Sequence, residues 1–120
     1  HWYVKGPNFF SLHVKFEEFY DEINELYDEF AERLLTIGGS PISNMKGYLE
    51  ASSLIEVNGT LSSQEMVKMI HDDFVLIADE LKEGIVIAQD LHDETTADLF
   101  ISTIGKLEKH AWMLKFYLSK

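Results

Sequence analysis

From Asn8 to Ile37 the chain runs thirty residues, NFFSLHVKFEEFYDEINELYDEFAERLLTI, without a glycine or proline. So long a segment without a backbone breaker commits the chain to a long helix. Phe9, Leu12, Phe16, Phe19, Ile23, Leu26, Phe30 and Ile37 recur at helical steps and give that helix one apolar stripe. Beside the stripe lies a polar pattern: His13 with Glu17, and Asp28 with Glu32, each pair spaced i, i+4. At about 100° per residue the four fall in one sector, so each pair projects two ligand-type side chains from the same face. The pairs stand about 22 Å apart along the axis at 1.5 Å per residue, too far for one metal ion to bridge. An antiparallel copy related by a two-fold axis would set His13 and Glu17 of one subunit against Asp28 and Glu32 of the other. Two plainer readings stand beside this one. The four residues form a solvated charged flank, or Asp28 and Glu32 pair with Arg33 or a lysine for little gain.

With 120 residues and 46% hydrophobic content the chain has the length of one domain and the apolar material for a core. No apolar run approaches membrane-spanning length. There is no cysteine, which excludes a disulfide framework and a thiolate nucleophile and makes an intracellular, cytoplasmic setting the default. A net charge of −11 repels phosphate backbones and attracts cations, so DNA binding is doubtful without a basic arm. No signal peptide is visible, and the opening on His1-Trp2 without an initiator Met points to preceding residues.

Along the chain, His1–Lys5 reads as the last turn of a helix stopped by Gly6-Pro7. The long helix ends at Gly38-Gly39-Ser40-Pro41, with Arg33 in its last turns. In the connection that follows, Ser43 is placed to cap a short helix over Asn44–Glu50, and Asn58-Gly59 signals a turn. A second long helix starts near Ser62, where Ser62-x-x-Glu65 is a capping box. Its stripe is Met66, Ile70, Phe74, Ile77, Leu81 and Ile85, and it fades by Gln89–His92. A third runs from Asp93, its cap, to about Leu118, with Phe100, Ile104, Leu107, Ala111, Leu114 and Leu118 as its stripe. Trp112 and Phe116 sit about 100° from that stripe, either a subunit contact or the edge of a wide core. Three long amphipathic helices want a fourth. The expected class is all-α, a ferritin-like four-helix bundle with a short helix in the long crossover, one domain over residues 1–120, most of its first helix lying before His1.

Imidazole with carboxylate suits iron, zinc and manganese. The usual di-iron bundle draws its ligands from inside, with Glu-x-x-His pairs, and no Glu here is followed three residues later by His. A second acidic cluster, Asp90, Asp93, Glu94 and Asp98, falls at the junction of the last two helices, where capping and the helix dipole alone favour acids. His71, His92 and His110 lack a carboxylate array at ligand spacing and read as surface or interface histidines.

The run HWYVKGPNFFSLHVKFEEFYDEINELYDEFAERLLTIGGSP closely resembles the mini-ferritins, the Dps family of DNA-binding proteins from starved cells. The pieces that carry the likeness are His-Trp, a second His twelve residues on, an acid four later, Asp-Glu-x-Ala-Glu-Arg-Leu and Gly-Gly-x-Pro. It continues through Lys-His-Ala-Trp-Met at 109–113 and covers essentially the whole chain. The resemblance implies a dodecameric hollow shell with ferroxidase sites between two-fold-related subunits. His1 and His13 would come from one subunit and Asp28 and Glu32 from its mate, as catalytic residues and metal ligands. Glu17, where the family usually has Asp, would be a further ligand with a longer reach. Fe(II) would be oxidised there by hydrogen peroxide or oxygen, and Fe(III) would pass inward to be stored as mineral, sparing DNA from oxidative damage.

By the same resemblance Trp2 would lie beside the site; an ordinary buried aromatic at a helix end is the plainer reading. Tyr20 and Tyr27 extend the row of His13 at seven-residue steps as packing residues. Asp90, Glu94 and Asp98 would line an acidic three-fold pore for cation entry, with Gln89 replacing one acid of the pattern. Two other functions differ in class: a DNA-compacting nucleoid protein with little catalytic role, and a cage whose metal site is structural, with zinc or manganese in place of iron.

Overall fold

The apolar periodicities resolve, in a computed structural model describing residues 1–120, into four helices and no strand. They are α1 (Phe9–Thr36), the short α2 (Met45–Ala51), α3 (Ser63–Asp90) and α4 (Glu94–Leu118). None is long and apolar enough to cross a membrane. The chain divides into two units, residues 1–63 and 64–120.

In the first unit, Leu12, Phe16, Phe19 and Leu26 of the α1 stripe are buried, together with Val4. Phe9 and Phe30 are half-buried, while Ile23 and Ile37 are exposed. Ile37 lies outside the helix as its C-cap, so helical periodicity no longer governs where it points. The helix stops because Gly38 takes a φ of +93°, which costs a side chain bearing a Cβ but not glycine. Its N–H then reaches the Leu35 carbonyl at 3.0 Å and that of Gly39 the Leu34 carbonyl at 2.8 Å, the paired bonds of a Schellman ending.

At the start of the chain Trp2-Tyr3 forms a turn, followed by irregular backbone to Gly6. The Tyr3 ring occupies the space a side chain at residue 59 would need, which Gly59 leaves open. The Ser63 hydroxyl bonds the Lys5 carbonyl at 3.1 Å. These contacts anchor the segment, and sequence periodicity does not reveal them. The short helix falls as expected but one residue later, and its cap is Asn44 rather than Ser43. The Asn44 side chain accepts from the Gly47 N–H at 2.8 Å.

In the second unit the buried line of α3 is Val67, Phe74, Ala78 and Ala88, with Met66, Ile70, Ile77, Leu81 and Ile85 half-buried along its edge. On α4, Thr96, Ala97, Thr103, Ile104, Leu107, Ala111 and Leu114 are buried. Gly84 admits the Phe100 ring, which a Cβ there would strike at 2.8 Å. Three residues join α3 to α4. His92 adopts a φ of +59°, its N–H bonds the Gln89 carbonyl at 3.0 Å, and the Asp93 N–H bonds that of Ala88 at 2.8 Å. Asp93 then caps α4, as its sequence position suggests, accepting from the Thr96 N–H at 3.0 Å. Trp112 and Phe116 stand outside the core, their rings 5.5 Å apart.

Candidate metal centre

The segment before α1 places the His1 ring beside that of His13 on the first turns of the helix. Their ring centroids are 5.1 Å apart at an interplanar angle of 71°. Tyr20, two turns further along, closes the other side of His1 at 5.8 Å. The Phe9 ring stacks on His13 at 5.1 Å and 25°. His13 is half-buried, and its Nδ1 lies 3.0 Å from the His1 carbonyl oxygen. A carbonyl only accepts, so Nδ1 carries the hydrogen. In the neutral ring Nε2 is therefore left with its lone pair, oriented as a ligand atom. The carbonyl that does this is invisible in the sequence, because it depends on where the segment before α1 folds.

Glu17, one turn beyond His13, is exposed and its carboxylate makes no hydrogen bond or ion pair. Asp28 and Glu32 are likewise exposed, and the Thr36 hydroxyl donates to the Glu32 backbone carbonyl at 2.7 Å. Trp2 lies 5.9 Å from His1, ring to ring, and is 83% exposed in the single chain. Within the single chain no three His, Asp or Glu side chains converge to hold a metal ion. The residues divide into an imidazole pair at one end of α1 and a carboxylate pair nearer the other.

The acidic junction separates by role. Asp93 is consumed as a cap, taking the Thr96 N–H and, at 2.5 Å, the Thr96 hydroxyl. Asp90, Glu94 and Asp98 are exposed. The remaining histidines are each accounted for: His71 donates from Nδ1 to Asp72 at 2.8 Å, His92 forms the α3 ending, and the His110 ring lies 5.9 Å from Phe74. A pair that sequence reasoning missed is Tyr27 with Tyr48, whose hydroxyls are 3.0 Å apart. Their contact depends on α2 returning to α1, and no spacing in the sequence announces it.

The model of the ferritin-like domain matches residues 1–120. General stress protein 20U of Bacillus subtilis is 49% identical over 118 residues, covering 98% of this chain and 81% of that protein. DNA protection during starvation protein 2 of Bacillus anthracis is 50% identical over 120 residues, covering 100% and 82%. Among solved structures, Dps from Staphylococcus aureus superposes with a TM-score of 0.97 at 46% identity, over 100% of this chain and 80% of that one. A Dps protein of Vibrio cholerae, described as a member of a broad superfamily of ferritin-like diiron-carboxylate proteins, superposes with a TM-score of 0.96 at 33% identity, over 99% and 75%.

Proposed function

The chain belongs to the Dps family of ferritin-like proteins and has its all-α ferritin-like fold, and from that premise we propose that it oxidises and stores iron at sites shared between two copies. The observation that carries the reading is the division of α1 into two incomplete halves. His13 Nδ1 is held on the His1 carbonyl with the two rings side by side, and Asp28 and Glu32 stand exposed in the same sector of the helix. A two-fold axis that reverses α1 brings each half against the complementary half of its mate. Imidazole and carboxylate together suit Fe(II), and zinc or manganese bind the same donors.

In this reading His1 and His13 hold Fe(II) from one subunit, and Asp28 and Glu32 balance its charge from the other. Glu17 reaches the ion or a water on it. Two Fe(II) give one electron each to hydrogen peroxide, whose O–O bond breaks to leave two hydroxides. Because both electrons are delivered together, no hydroxyl radical needs to leave the site. Oxygen is the alternative oxidant. Trp2 flanks the site, and the Fe(III) product collects as mineral inside a dodecameric shell in the cytoplasm, sparing DNA. Asp90, Glu94 and Asp98 draw cations inward through their negative field.

DNA compaction as the main role is less favoured, because a net charge of −11 repels phosphates. The direct test is Fe(II) oxidation followed by absorbance. Replacing His13 by Ala is expected to slow the initial rate by about 10- to 100-fold or more while helix content is kept. A rate equal to that of the unaltered protein would leave only an inert or structural cage.

A further inference from the structure

Outside the candidate centre, one pair of side chains has a geometry that packing alone does not require. Tyr27 on α1 and Tyr48 on α2 place their hydroxyl oxygens 3.0 Å apart, with ring centroids at 6.0 Å and an interplanar angle of 87°. Tyr27 is 55% exposed, so the contact does not arise from crowding in the core. Tyr27 is also the residue immediately before Asp28. We propose that Tyr27 and Tyr48 are a modification site, a phenol pair that one-electron oxidation converts into a dityrosine crosslink joining α1 to α2.

The chemistry balances without a further reductant. Each phenol loses one electron and its O–H proton to give a phenoxyl. The two rings join through the carbons ortho to their oxygens, and the ortho hydrogens shift to restore two phenols. In sum, two tyrosines and one hydrogen peroxide give one dityrosine and two waters. A hydrogen bond between the two hydroxyls holds the ortho carbons near one another, so coupling competes well with escape. The same hydrogen bond lifts the Tyr48 phenol above its ordinary range.

The source of the oxidant rests on the proposed iron chemistry beside Asp28; the coupling of the pair does not. The test adds Fe(II) and then peroxide to the whole protein, measures Fe(II) consumed, and maps tryptic peptides by mass spectrometry. Peptide 16–33, which holds Tyr20 and Tyr27, is expected joined to peptide 47–68, which holds Tyr48, with the loss of two hydrogens. The crosslink and its blue fluorescence should vanish in Tyr27→Phe and in Tyr48→Phe and persist in Tyr20→Phe. Fe(II) consumed with the two peptides recovered separate overturns the proposal alone. If Fe(II) persists, the iron reading fails, and a photochemical one-electron oxidant takes its place in the same mapping. A joined peptide under that oxidant sustains the phenol pair, and separate peptides overturn it.

Discussion

At the scale of single residues, the arrangement depends on one ring nitrogen. The His1 carbonyl 3.0 Å from His13 Nδ1 assigns the hydrogen to that nitrogen in the neutral ring, leaving Nε2 as the nitrogen the proposed site would use. Nitrogen NMR of the neutral ring should report the Nδ1–H tautomer; an Nε2–H tautomer would contradict the site as described. The presence of His13 at this place was legible in the sequence, from its spacing to Glu17. Its orientation was not, since a backbone carbonyl twelve residues away supplies it. Two neighbouring acids on α3 give a second prediction. A hydrogen bond from Lys68, then one from His71, holds the Asp72 carboxyl below its ordinary range, whereas burial, then the charge of Asp72, pushes Asp73 up. Asp72 therefore adds stability above the ordinary carboxylate range, lost as pH falls through its depressed value. Asp73 works in reverse: its charged form is disfavoured in the folded chain, and the penalty appears as pH rises through its raised value. In denaturant titrations at neutral pH, Asp72→Asn should lower the unfolding midpoint slightly and Asp73→Asn raise it. Both differences should shrink below the carboxylate range, and effects of one sign would refute the assignment.

At the scale of elements, helix ends explain where the sequence reading held and where it slipped. Gly38-Gly39 and Asp93 carry local chemistry that fixes a terminus, and α1 and α4 end and begin there. The segment 1–5 has no such local signal. Its packing is set by Tyr3 against Gly59 and by Lys5 with Ser63, contacts remote in sequence that no local pattern announces. Replacing Gly38 by Ala puts a Cβ at a φ of +93° and should cost about 1–2 kcal/mol of stability. Asp93→Ala removes the α4 cap and should cost about 1 kcal/mol. Thermal or chemical unfolding reads both; an unchanged midpoint in either would show that the terminus is held by other means.

At the scale of the whole molecule, the single chain leaves large apolar side chains outside its core, among them Phe10, Trp112 and Phe116. Exposed apolar side chains of this kind are what association surfaces are made of, which is consistent with assembly around the proposed shared sites. All-α class and family were legible because helical stripes and the His-Trp to Gly-Gly-x-Pro run are local patterns. Completion of the proposed centre is offered by the spacing of the two pairs on α1 but needs a second chain to be seen. Co-assembly of two variants tests that point most directly. His13→Ala and Asp28→Ala, each assembled alone, spoil every site. Assembled together at random, half of the two-fold interfaces pair unlike subunits, and one of the two sites at each of these is intact. Mixed assemblies are thus predicted to recover about a quarter of the unaltered rate of Fe(II) oxidation. Mixed assemblies no faster than either variant alone would contradict a centre shared between two copies.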